Sequence, residues 1–137
     1  MKEGNEKDRS ALGGVPSSLP AMIKAHRIQE KARGVGFDWE KPEQVWEKVE
    51  EELNEFRVEA ENGNEERAFE EFGDLLFSLI NFARFKNINP EEALERTNKK
   101  FIRRFQYLES EAAKAGRRLN EMTLAEMEVY WNKAKEL

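Results

Sequence analysis

Apolar residues recur at three- and four-residue spacing along most of the chain, and Gly, Asn and Pro interrupt the pattern. Met22, Ile23, Ile28 and Ala32 mark a first helix. Its N-cap is expected at Ser18, with Pro20 in the first turn and Gly34 and Gly36 at its end. In the loop V-G-F-D-W at 35–39, Phe37 and Trp39 are expected to pack over a bundle end; lining a ligand pocket is the second reading. Pro42 opens a second helix with the stripe Val45, Val49, Leu53, Phe56 and Ala60, stopped by Asn62-Gly63. Asn64 caps a third helix over 65–85, apolar nearly all round. Asn89-Pro90 opens a fourth, with Leu94, Phe101, Phe105, Leu108 and Ala112 facing inward and Gly116 at its end. Thr123 and Glu126 form a capping box for a short last helix carrying Met127, Tyr130 and Trp131. No strand alternation is present. The expected fold is all-α, a bundle of four main helices plus a short C-terminal one. Residues 1–17, polar and then rich in Gly, Pro and Ser, read as a flexible leader or linker remnant before one helical domain at 18–137.

Polar residues interrupt the third helix along a single line. Arg67, Glu71, Asp74, Ser78 and Asn81 are spaced four, three, four and three, which keeps them on one stripe of a helix that is otherwise buried on several sides. A polar stripe inside a helix interface needs partners or water. The second helix supplies matching acids. At about 100° per residue, Glu52 falls roughly 60° from the centre of the apolar stripe, Glu55 roughly 120° and Glu51 roughly 160°. Glu52 is therefore expected at the core boundary. Two antiparallel helices can then aim Glu52, Glu55, Glu71 and Asp74 at one point. That much negative charge calls for a cation, and an oxygen-only donor set suits magnesium. A satisfied polar ladder between helices is the plain alternative.

Composition narrows the chemistry. There is no cysteine, which excludes disulfides, zinc–thiolate sites and cysteine nucleophiles. The net charge of −5 gives no broad basic surface for nucleic acid. No run of about 18 apolar residues exists to span a membrane, and the start M-K-E-G-N-E-K-D-R lacks the apolar core of a signal peptide. A cytoplasmic protein is expected. Lys100 and Arg104 lie four apart on one flank of the fourth helix, where they can meet phosphates or simply be solvated. A di-iron bundle would need Glu-x-x-His motifs, and the single histidine, His26, has none around it.

These blocks resemble those of MazG-type nucleoside triphosphate pyrophosphohydrolases, in the all-α NTP pyrophosphatase superfamily. The resemblance rests on E-E-x-x-E at Glu51, Glu52 and Glu55 and on E-x-x-D at Glu71 to Asp74. V-G-F-D-W (35–39), G-D-L-L-F (73–77), N-x-A-R (81–84), K-F-x-R-R-F (100–105) and E-x-x-W (128–131) add to it. It runs from about Ser18 to the C-terminus and is closest to the second, catalytically competent domain of two-domain members. The chain is accordingly read as either a short member or an excised C-terminal domain. The resemblance implies magnesium-dependent hydrolysis of NTP or dNTP to the monophosphate and pyrophosphate, with manganese as a substitute ion. It implies metal ligation by Glu52, Glu55, Glu71 and Asp74, with Glu51 as a further acid. It implies nucleotide or phosphate contacts by Arg67, Asn81, Lys100, Arg104, Trp131 and Lys135.

Two other readings stay open on the residues alone. One is a nucleotide-restricted relative, similar to a dimeric dUTPase or a phosphoribosyl-ATP pyrophosphatase. The other is a non-catalytic helical interaction module, which leaves the polar stripe unexplained. A homodimer or higher homo-oligomer is expected, because the third helix carries more apolar surface than one short bundle covers and MazG-like proteins assemble this way. Neither nucleic acid nor a membrane is expected as a partner.

Overall fold

A computed structural model describes residues 10–137 of the protein, and the described residues are helical with no strand. Five α-helices run in order: α1 (Ala21–Gly34), α2 (Pro42–Glu61), α3 (Glu65–Phe85), α4 (Pro90–Lys114) and α5 (Leu124–Ala134). A single 3-10 turn, Leu119–Glu121, precedes α5. The described residues divide into two compact units, one ending at Glu91 and the other running from Glu92 to Leu137.

In the first unit, residues 10–19 form successive turns, with Gly13 N–H donating to the Ser10 carbonyl and Leu19 N–H to the Pro16 carbonyl. The remainder of the expected leader, residues 1–9, lies outside the described residues. Helix α1 starts after Pro20 rather than at Ser18, and no side chain caps it. The cause is local: Pro20 disfavours helical geometry at Leu19 and is itself extended, at ψ 143°. Helix α2 begins with Pro42 at its first position, and Gln44 Oε1 accepts from the Glu40 and Lys41 N–H groups. Asn62 caps its end and Gly63, at φ +73°, makes the turn that side chains resist. Asn64 then caps α3 by accepting from Arg67 N–H.

This three-residue connection folds α2 back on α3 as an antiparallel hairpin. Phe56 meets Phe72 near the turn (5.3 Å between centroids) and Trp46 meets Phe82 far from it (5.0 Å). The buried seam of α2 is Val45, Val49 and Glu52, not the stripe through Leu53, which is 52% exposed. Positions i, i+4 and i+7 define that seam, and α3 lies across it. On α3 the buried residues are Leu75, Ser78 and Ile80, and α1 packs against the same helix through Gln29.

The second unit has its own small core of Leu108 and Ala112 from α4, Met122 from the segment after the 3-10 turn, and Ala134 from α5. Of the five inward positions expected on α4, only Leu108 and Ala112 are buried; Leu94, Phe101 and Phe105 are exposed. Asn89 begins α4 by accepting from Glu91 N–H. The capping box at α5 forms as its spacing predicts: Thr123 Oγ1 accepts from Glu126 N–H, and Glu126 Oε1 accepts from Thr123 N–H.

Candidate metal centre

Glu52 and Glu55 come from α2 and Glu71 from α3, about two helical turns beyond the Asn64 cap. One carboxylate oxygen of each lies within 4.8 Å of the others. Glu52 sits deeper than a core boundary: it is 5% exposed, on the same seam as Val45 and Val49. Glu55 and Glu71 are half-buried. Glu52 Oε2 and Glu71 Oε2 are both shut away from solvent with no hydrogen-bond donor. Buried carboxylate oxygens without donors are costly. Burial first, then the neighbouring Glu55 and Glu52 carboxylates, push the Glu71 carboxyl up to about 7. Orphaned oxygens from an all-carboxylate donor set fit a hard divalent cation.

One cation already attends the cluster. Lys48 Nζ lies 2.9 Å from Glu52 Oε1 and 3.7 Å from Glu51 Oε1, and the bond to Glu52 raises its pKa above the usual lysine range. Sequence reasoning passed over Lys48, although its i,i+4 spacing to Glu52 is the signal that finds it. It satisfies one oxygen of Glu52 and leaves the other bare.

The remaining expected site residues are placed differently. Asp74 lies one turn beyond Glu71 on the same stripe, exposed and outside the three-carboxylate group. Glu51 is exposed and faces Lys48. Arg67 is exposed, with Nη1 3.9 Å from Glu59 Oε1. Ser78, on the same stripe, returns its hydroxyl to the Leu75 carbonyl at 2.9 Å. Asn81 Oδ1 accepts from Arg84 Nε and Nη2. Arg84 also grips Asp38 through both terminal guanidinium nitrogens, at 2.7 and 3.2 Å. With Arg33 3.5 Å away as well, Asp38 is held below the usual carboxylate range, the Arg84 bond being the largest cause. This clamp ties the 35–39 loop to the far end of α3. Lys100, Arg104, Trp131 and Lys135 belong to the second unit. There Trp131 packs on Phe101 (5.1 Å), the neighbour of Lys100, and Lys135 caps α5.

Similarity to known proteins bears on the same residues. The profile of the MazG nucleotide pyrophosphohydrolase domain matches residues 40–108, a span that contains the whole carboxylate cluster. A Thermotoga maritima protein named nucleoside triphosphate pyrophosphohydrolase/pyrophosphatase MazG is 46% identical over 134 residues, covering 98% of this chain and 51% of the relative. An Escherichia coli K12 protein named nucleoside triphosphate pyrophosphohydrolase is 38% identical over 136 residues, covering 98% of this chain and 52% of the relative. The Bacillus subtilis uncharacterized protein YabN is 50% identical over 135 residues, 98% of this chain but 28% of that protein. The chain thus spans about half the length, or less, of these curated relatives. With the profile covering half of the chain and these identities running through nearly all of it, the chain belongs to the MazG nucleotide pyrophosphohydrolase domain family.

Proposed function

We propose that this chain hydrolyses ribo- and deoxyribonucleoside triphosphates between the α and β phosphates, releasing the monophosphate and pyrophosphate. The observation that carries the reading is the cluster of Glu52, Glu55 and Glu71, with its two donorless oxygens, inside the family-matched span. The names of the Thermotoga maritima and Escherichia coli relatives support it.

Glu52, Glu55 and Glu71 would hold magnesium, or manganese in its place, with Asp74 completing the set from the same stripe and Glu51 as a further acid. A divalent ion there supplies neutralisation of phosphate oxygens and a water of lowered pKa. The protein's own groups do the rest. Lys48 holds one oxygen of Glu52 and so orients its carboxylate. A carboxylate of the cluster that the ion leaves free would take a proton from water. Arg67, Asn81, Lys100, Arg104, Trp131 and Lys135 are the proposed contacts to nucleotide and phosphates, the cations stabilising charge on departing pyrophosphate.

A homodimer or higher homo-oligomer fits the apolar surface of the α2–α3 hairpin, where Phe69 is 79% exposed and Leu53 and Phe72 about half. Light scattering at micromolar concentration reads this directly: a species of two or more chains is expected, and monomer alone refutes it. No described helix is long and apolar enough to cross a membrane, and we place the protein in the cytoplasm, acting on free nucleotides rather than nucleic acid. The reaction is tested with a panel of canonical and modified triphosphates plus magnesium, products separated by chromatography. Monophosphate and pyrophosphate are expected; diphosphate and orthophosphate would overturn the assignment.

A further inference from the structure

The first unit contains a cavity of about 560 Å³, within the roughly 300–1,000 Å³ of small-molecule sites. Helices α1 and α3 and the 35–39 loop supply most of its wall, through Gln29, Phe37, Trp39, Phe77 and Arg84. One further wall residue, Leu12, comes from the segment at 10–19 that precedes α1.

That segment is held differently from the rest of the unit. Its backbone bonds close within itself: Gly13 N–H donates to the Ser10 carbonyl, Val15 N–H to that of Leu12, and Leu19 N–H to that of Pro16. The Ser10 hydroxyl also accepts from Leu12 N–H. The tie to α1 runs from Lys24 Nζ to the Ser17 carbonyl, at 2.6 Å. Val15 and Leu19 are half-buried, and the other residues of the segment are exposed. Leu12 keeps 42% of its surface exposed while lining the cavity. Helix α1 does not need the segment, because it starts after Pro20 with no side-chain cap, and Lys24 N–H donates to the Pro20 carbonyl. Few buried apolar contacts and locally closed hydrogen bonds mark a part of a fold that opens at low cost.

We propose that residues 10–19 form a hinged strap over this cavity, with Leu12 as its plug and the Lys24–Ser17 bond as its latch. The structure shows the strap closed. Lifting it breaks the latch and withdraws Leu12. The local bonds survive, so the strap moves as one piece. Opening admits a small molecule to the cavity, and closing covers it. Exchange at the cavity is thereby set by a surface segment, not by motion of the helices that carry Glu52, Glu55 and Glu71. The device stands on this geometry alone and holds for whichever small molecule the cavity receives.

The chain has no cysteine, so spin labels at Ser10→Cys and Arg27→Cys, both exposed positions, report the distance from strap to α1 without background. Labelled chains are diluted with unlabelled ones, so that each distance is read within one chain. A main closed distance is expected in this parent. Leu12→Ser should raise the open fraction about tenfold, the worth of burying part of a leucine. Lys24→Met should act in the same direction, and the two together should leave the strap mainly open, with the parent's helix content and melting temperature. A double variant that keeps the parent's distance would mean a fixed segment, and one that loses helix would mean a part of the framework; either overturns the strap. The cavity itself is read by fluorescence. With Trp46→Phe and Trp131→Phe, emission comes from Trp39 alone, and its quenching by acrylamide should rise with the open fraction. A strap that opens while quenching stays unchanged does not cover the cavity, and the proposal fails.

Discussion

Two polar groupings lie against helix α3, and they differ in how their charge is met. Toward its C-terminal end, Asp38 is bound by Arg84 at two points and approached by Arg33, and Asn81 takes up the rest of the guanidinium. Toward its N-terminal end, Glu52, Glu55 and Glu71 crowd within 4.8 Å with Lys48 as their counter-charge. The first grouping leaves no acid in excess and behaves as a clamp. The second leaves acid in excess and two oxygens bare. Paired burial holds a loop in place; unpaired burial, which works against folding, persists where a ligand completes it.

Four substitutions and a titration sharpen that contrast. The largest effect belongs to Glu71→Gln, which should lower triphosphate hydrolysis by about 10³-fold, since the site loses a ligand and its charge together. Asp38→Asn should instead cost about 2 kcal/mol in denaturant unfolding. That is below the roughly 3–5 kcal/mol for breaking a fully buried pair, because Asp38 keeps some solvent contact. Its melting temperature should shift equally with and without magnesium; a magnesium-dependent shift would erase the distinction between the two groupings. Thr123→Ala, far from both in sequence, should cost about 1 kcal/mol through the lost α5 cap, again whatever the metal. Lys48→Met should lower metal-free stability by less than about 1 kcal/mol, the pair being partly screened, and enlarge the stabilisation by magnesium.

The titration separates the two kinds of carboxylate by sign. Glu71 has a folded pKa raised to about 7 from 4.5. The folded state therefore binds the extra proton between those values, and metal-free stability should fall as pH rises from 4.5 through 7. Glu126, bound by Arg117, has a folded pKa lowered to about 2. Its contribution is present above 4.5 and is lost as pH falls toward 2. Glu71→Gln should flatten the neutral limb alone, leaving the acid limb as in the parent.

Much of the local structure was legible because its causes are local. The bounds of α2 and α3, the Asn64 cap, the Gly63 turn and the Thr123–Glu126 box depend on residues a few positions apart. The meeting of Glu52, Glu55 and Glu71 was legible for the same reason, by spacing on two helices, although Asp74, expected with them, lies outside the group. What spacing could not supply was the depth of each residue. Glu52 was expected at a boundary and is buried, while Leu53 was expected inside and is exposed, because the crossing of α3 rather than the composition of α2 selects the seam. Phe37 and Trp39, expected over a bundle end with pocket lining as the second reading, line a cavity, held there by Asp38 reaching Arg84 across 46 residues of chain. Gln29 gave no signal at all, since one polar residue on an amphipathic helix acquires meaning only when the neighbouring carbonyl that fixes it is known.

The central claim is that the excess acid on the α2–α3 hairpin is completed by a metal ion. Thermal melts of the parent and Glu71→Gln, each with and without magnesium, test it most directly. Without the ion, the substitution relieves crowding among carboxylates, so Glu71→Gln should melt at or above the parent. With it, the order should reverse, because the parent gains stability by binding and the variant gains little. A parent whose melting ignores magnesium, with Glu71→Gln lower by the same amount in both conditions, would mean that Glu71 is an ordinary satisfied interface residue and that the cluster holds no metal.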